Sequence, residues 1–202
     1  MRRVEPKKRR RASSGVAAAE FAVCLPLVCL ILTGLWQVGR ITEVSEVMWN
    51  SAREAARDAS LGDDNLQDIT VTKDPVTGAV TGGLLFYLQS AEPTAFGKTT
   101  DSTTLRAPVS LPSNTTGYTC WDNTANRELF TITFTDLTHP SVTDPTGMSQ
   151  LDVYQIGVQV PFSSIEWSPV VPIAGMSRIS VAVVWTSMVD SPFQIVPNLP
   201  AQ

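Results

Sequence analysis

The sequence predicts an α+β protein in which a long amino-terminal transmembrane helix continues into an amphipathic helix and then into an exported antiparallel-sheet domain. Three observations carry this expectation. From Val16 to Trp36 the chain carries only one charge, Glu20, and a helix over it reaches about 31 Å at ~1.5 Å per residue, the thickness of a bilayer core. From Gln37 to Ser60, Ile41, Val44, Met48, Ala52, Ala55 and Ala59 recur at three- and four-residue spacing, the signature of a helix with one buried stripe. In the carboxyl-terminal third, Phe130, Ile132 and Phe134 alternate with threonines, and Tyr154, Ile156, Val158, Val160 and Phe162 alternate with Gln155, Gly157, Gln159 and Pro161, the period-two pattern of half-buried strands.

Residues 1–15 form a basic leader in which Arg2, Arg3, Lys7, Lys8, Arg9, Arg10 and Arg11 face one acid, Glu5. Such an excess beside an apolar span holds that end in the cytoplasm and sends the rest of the chain across the membrane. The span at 16–36 is longer than the ~7–15 apolar residues of a cleaved secretory signal, and no small-x-small site precedes Trp36-Gln37, so retention in the membrane is expected. Pro26 removes an amide within the span and favours a bend in its cytoplasmic third. Cys24 and Cys29 read as small packing residues, and with Cys120 alone in the exported part no intradomain disulfide is available.

Glu20 stands out, because an ionised carboxylate in hydrocarbon costs roughly 3 kcal/mol or more and usually has a partner. A basic leader ending in Gly15, small apolar residues, Glu20-Phe21 and an apolar run resembles a prepilin peptidase site. More closely, the chain resembles the TadE-like pseudopilins over about residues 12 to 60. The likeness continues through GLWQVGRITEV and the alanine- and arginine-rich SAREAARDAS. The resemblance implies cleavage between Gly15 and Val16, which leaves Glu20 fifth in the mature chain. A glycine suits the extended or turned backbone that a peptidase cleft requires. Cutting there frees the amine of Val16, and in a bundle of axially offset helices that ammonium of one chain can meet Glu20 of the next, which offsets both burial costs and sets the register. The simpler alternative is that Glu20 lies at headgroup depth and snorkels into water.

On the helix over 37–60 the side opposite the stripe carries Arg40, Glu43, Glu46, Asn50, Arg53, Glu54 and Arg57, and Leu61-Gly62 supplies a stop signal. From Val16 to Ser60 this is one helix about 68 Å long at ~1.5 Å per residue. The exported domain then covers 61–190. Its first half is expected to be irregular: an acidic connection at Asp63, Asp64 and Asp68, a short strand over Asp68–Thr72, a turn over Lys73–Gly78, an apolar run from Leu84 to Leu88, and a largely loop-like region from Gln89 to Asn126. The strands around Phe130–Phe134, Tyr154–Phe162 and Ile179–Trp185 are separated by turns at His139-Pro140, Asp144–Gly147 and Pro169–Gly175. Their apolar face is expected to pack on the alanine stripe of the helix. Residues 191–202, rich in proline, read as an extended tail.

From Leu61 onward Lys73, Lys98, Arg106, Arg127 and Arg178 face 13 acidic residues, so the whole-chain charge of −4 conceals a cationic leader and an anionic domain. That balance argues against a nucleic-acid surface. Phosphate loops, zinc spacings and catalytic signatures are missing from the sequence. The acidic run at 63–68 lacks the pattern of a calcium loop, and His139 reads as a surface residue in a turn. The expectation is therefore no enzyme, no cofactor and no metal. The resemblance implies a minor pseudopilin of a tight-adherence (Flp) pilus and secretion system, used in pilus assembly or adhesion. Its partners would be a prepilin peptidase, other pilin or pseudopilin subunits, the assembly machinery and membrane lipid. It would sit in the inner membrane as a single-pass protein or in a pilus at the cell surface. The alternative is a permanently anchored single-pass protein with an exported β-rich ligand-binding domain.

Overall fold

The computed structural model describes residues 14–92, 96, 103–107, 111–112, 114–165 and 177–189 of the 202. Helix α1, Ser14–Leu61, runs without interruption for 48 residues, about 72 Å at ~1.5 Å per residue, and passes through Pro26. It begins two residues before the expected start and ends one residue after the expected stop. Gly62 ends it as anticipated: at φ 70° the backbone turns left-handed, and the Gly62 amide donates to the Ala59 carbonyl at 3.1 Å. The Met188 amide reaches back to a second end carbonyl, that of Ser60, at 2.7 Å.

The outer half of α1 lies on the domain along the expected stripe. Val44, Met48, Ala52, Ala55 and Ala59 are buried, Ala56 joins them, and Ile41 is half-buried. With so little side chain between them, the helix backbone and the sheet come close enough for the buried Tyr154 hydroxyl to donate to the Ala56 carbonyl. Arg40 departs from the expected solvent side. It is only partly exposed because the domain supplies an acid, Glu92, within reach of its guanidinium.

The strand expected over Asp68–Thr72 is instead part of a short helix, α2, Leu66–Thr70, followed by the first strand of a small hairpin. Two features decide for helix. The Asn65 side chain caps it by accepting from the Asp68 amide at 2.9 Å, and the residues it buries, Leu66, Ile69 and Thr70, sit at three- and four-residue spacing. Strands β1 (Thr72–Lys73) and β2 (Val80–Gly82) pair across the turn read at 73–78, where the Asp74 carboxylate accepts from the Val76 and Thr77 amides at 2.7 and 3.2 Å. The apolar run from Leu84 is helix α3, Gly83–Ala91, which buries Leu84, Leu85 and Leu88 and packs on α1.

The sheet has five antiparallel strands in chain order: β3 (Thr103–Arg106), β4 (Thr116–Asp122), β5 (Arg127–Asp136), β6 (Val153–Pro161) and β7 (Arg178–Thr186). The last three are the strands the alternation marks. The first two correct the reading of 89–126 as mostly loop. In β4 a bulge falls at Cys120/Trp121, and the positions paired with the core residues of β5 are Thr116, Tyr118 and Cys120 rather than large aliphatics, so a hydrophobic count misses it. A 3-10 turn, Pro145–Gly147, lies in the β5–β6 connection, and a short helix, α4, Phe162–Ile165, follows β6. The turn expected at Pro169–Gly175 and the tail at 191–202 fall outside the described residues.

The core sits between the inner face of the sheet and the outer half of α1. Phe130, Ile132 and Phe134 from β5 and Tyr154, Ile156 and Val158 from β6 are fully buried, and the Phe134 and Tyr154 rings lie 5.7 Å apart. Strands β7 and β6 carry the contact with α1, while α2 packs on β4. The domain is therefore built onto one half of the helix. The other half projects from it.

Candidate assembly interface

The projecting half holds the residues singled out by sequence. Among the described residues one helix, the segment from Ala18, is long and apolar enough to cross a membrane, and none of its apolar window is buried by the rest of the chain. Phe21 is 66 % exposed and Trp36 68 %. An isolated face this apolar has to be covered by lipid or by other helices. Thr33 is prepared for such surroundings, because its hydroxyl donates within the helix, to the Cys29 and Leu30 carbonyls at 3.0 and 2.9 Å.

Glu20 is exposed at the inner end of this half, next to Phe21. Four residues separate it from Val16, about one helical turn, so the two positions share a face. The backbone of Gly15 and Val16 lies inside α1, whose first residue is Ser14. At Gly15 the backbone is helical in the free chain. The alanines at 17–19 favour helix, and the amides of a first turn need no intrahelical acceptor, so a glycine there is tolerated. A peptidase cleft would therefore have to unwind the first turn to reach the 15–16 bond. The structure brings Gly15, Val16, Glu20 and Phe21 together on adjoining turns and places them all far along the chain from the sheet.

Where the apolar half meets the domain, Arg40 forms a two-pronged pair with Glu92, just after α3. Its Nη1 donates to Oε1 at 2.9 Å, and Nη2 lies 2.7 Å from Oε2. Arg40 also reaches Glu43 at 3.1 Å. The hydrogen bond to Glu92 is the main reason that the Arg40 guanidinium is held above its ordinary pKa, with burial opposing it. Sequence reading missed Glu92, which follows an apolar run and has no motif to announce it.

The outer face of the sheet is polar. A hollow of about 430 Å³ is lined by Arg106, Trp121, Glu128, Thr131, Gln159 and Arg178, among others. Arg106 stacks 4.8 Å above the Trp121 ring, and Arg178 grips Glu128 with contacts of 2.7 and 2.9 Å. Beyond the end of β5, His139 is more than a lone surface histidine: its Nδ1 lies 2.9 Å from Asp152 Oδ1, with Asp136 beside it.

The comparisons concern the helix and not the sheet. No curated protein and no solved structure matches the chain. Residues 15–57 match the family of TadE-like proteins. That stretch contains Gly15, Val16, Glu20 and Phe21 and ends in the last turns of α1, so the likeness to TadE-like proteins is confined to the amino-terminal helix.

Proposed function

We propose that the chain is a minor pseudopilin of a tight-adherence pilus and secretion system, made with the leader at 1–15 and cut between Gly15 and Val16 by a prepilin peptidase. The observation that carries this reading is the family match over 15–57, which coincides with the leader junction, the exposed apolar half-helix and Glu20. The leader charge supports a cytoplasmic amino terminus and an exported domain. The chain would act as a subunit rather than an enzyme. Its apolar half-helix enters a bundle of pilin or pseudopilin helices, the Val16 amine of one subunit meets Glu20 of a neighbour, and the β-rich domain lies outside the bundle.

The test is the recruitment of Glu20→Gln into sheared pili, followed by immunoblotting. Loss from the pilus fraction, with processing and membrane insertion retained, is expected. Recruitment equal to that of the unaltered chain contradicts the role given to Glu20. The anchored ligand-binding reading draws on a different observation, the polar hollow around Trp121 and Arg178. It requires no cleavage at Gly15.

A further inference from the structure

We infer that Asp136, His139 and Asp152 form a binding site for a divalent transition cation of the zinc class, which clamps the two ends of the β5–β6 connection. One oxygen of each carboxylate and one ring nitrogen of the histidine lie within 4.8 Å of one another. Asp136 is the last residue of β5, and Asp152 immediately precedes β6, so the paired strands themselves fix the two carboxylates.

Each acid commits one oxygen to backbone amides of the loop and keeps the other free of them. Asp136 Oδ1 accepts from the Thr138 and His139 amides at 2.8 and 2.7 Å, and Asp152 Oδ2 accepts from the Ser149 amide at 2.6 Å. The remaining donors are Asp136 Oδ2, Asp152 Oδ1 and His139 Nδ1. Asp152 Oδ1 faces Nδ1 at 2.9 Å. Asp136 Oδ2 is buried and has no hydrogen-bond partner among the described residues, in a side chain with 0 % exposure. A buried carboxylate oxygen without a donor is strongly disfavoured, and a cation between the three groups would satisfy it.

The electrostatics agree. Asp152 is 3 % exposed, and the ion pairs of the described residues bring His139 and no lysine or arginine to either acid. The donor set then selects the ion. Calcium and magnesium take six or more oxygens, whereas one imidazole nitrogen with two carboxylate oxygens suits zinc and its neighbours, with water as a fourth ligand. Bond lengths of ~2.0–2.2 Å place tetrahedral ligand atoms about 3.3 Å apart, so the widest separation needs to close by about 1.5 Å and Nδ1 must exchange its contact with Asp152 for the metal. The His139 side chain, 55 % exposed, provides the way in.

The experiment uses the full chain in detergent micelles after chelator treatment. Zn²⁺ is titrated calorimetrically, and Co²⁺ is followed by its visible spectrum. One saturable site is expected, with cobalt bands of a nitrogen and oxygen environment, no thiolate charge-transfer band, and a higher unfolding midpoint on adding Zn²⁺. Asp136→Asn keeps the oxygen that caps the two amides, and His139→Gln alters a half-exposed side chain. Each is expected to weaken Zn²⁺ by more than about tenfold, since even losing an outer partner of a metal ligand costs that much. No saturable binding, unchanged affinity in His139→Gln, a thiolate band, or Ca²⁺ binding tighter than Zn²⁺ would each overturn the assignment.

Discussion

Arg40 and Glu92, 52 residues apart in sequence, meet in two parallel contacts of 2.9 and 2.7 Å at the point where the apolar half of the long helix gives way to the half packed on the domain. The pair is mostly withdrawn from water, with side-chain exposures of 20 % and 8 %. It fixes the end of α3 against the helix, and hence the height of the domain above the apolar segment. Replacing Arg40 by Met leaves the Glu92 carboxylate buried without its guanidinium, and a loss of about 3 kcal/mol is expected. The double variant Arg40→Met/Glu92→Leu is expected to recover at least about 1 kcal/mol of that loss, because the stranded charge is gone. Denaturant unfolding of the four proteins in micelles measures both quantities.

The alanine stripe leads to a packing prediction. Ala56 is fully buried, and its carbonyl accepts from Tyr154, so the sheet has no room to retreat at that position. Ala56→Leu forces helix and sheet apart and is expected to destabilise the domain by about 3 kcal/mol, at the upper end for an overpacked core. Arg53→Leu, on the exposed side one turn earlier, is expected to stay within about 0.5 kcal/mol of the parent. Thermal unfolding followed by circular dichroism separates the two.

Two glycines should not tolerate a methyl group. At Gly83, φ is 79°, and an added Cβ would stand 2.9 Å from the Ile69 carbonyl oxygen. At Gly117 the added atom would stand 2.5 Å from the Ile132 carbonyl oxygen on the paired strand. Backbone cannot yield as a flexible side chain can, so Gly83→Ala and Gly117→Ala are each expected to cost more than about 1 kcal/mol. Gly39→Ala, where nothing lies within 4 Å, is the control and should be neutral or slightly stabilising. Denaturation midpoints give the comparison.

Cys120 gives the domain a pH dependence. Burial pushes its thiol up to about 12, so the folded protein holds this proton at alkaline pH after the unfolded chain has released its own. Stability from this group is therefore complete below the ordinary thiol pKa and declines as pH rises toward about 12. Cys120→Ala is expected to flatten the part of the alkaline decline that belongs to the thiol. In the native protein at neutral pH a thiol reagent is expected to leave Cys120 unmodified and to reach it only on unfolding, as mass spectrometry of the labelled peptide would reveal.

Elements with a strong period were legible in the sequence. The Val44–Met48–Ala52–Ala55–Ala59 stripe and strands β5, β6 and β7 follow from hydrophobic spacing, and the stop at Gly62 follows from a glycine free to turn left-handed. Elements fixed by local hydrogen bonds or by partners far along the chain were not. Helix α2 depends on the Asn65 cap, and β4 carries a bulge and presents Thr116, Tyr118 and Cys120 where a strand pattern would show large aliphatics. Arg40 looked like solvent-side charge because its partner Glu92 comes from another element. The proposal for Gly15, Val16, Glu20 and Phe21 rests on leader charge, glycine and glutamate spacing and apolar length, which lie within one continuous stretch. Asp136, His139 and Asp152 converge only through the pairing of β5 with β6, and no linear spacing announces that.

The central claim is that the chain is processed at the Gly15–Val16 bond, and the mass of its amino-terminal peptide tests this most directly. The measurement is made on protein extracted from membranes of the host and of the same host lacking its prepilin peptidase. The account predicts a chain beginning at Val16 in the first and at Met1 or Arg2 in the second. An amino terminus at Met1 or Arg2 in both would contradict it and leave a permanent anchor, with the function residing in the β-rich domain alone.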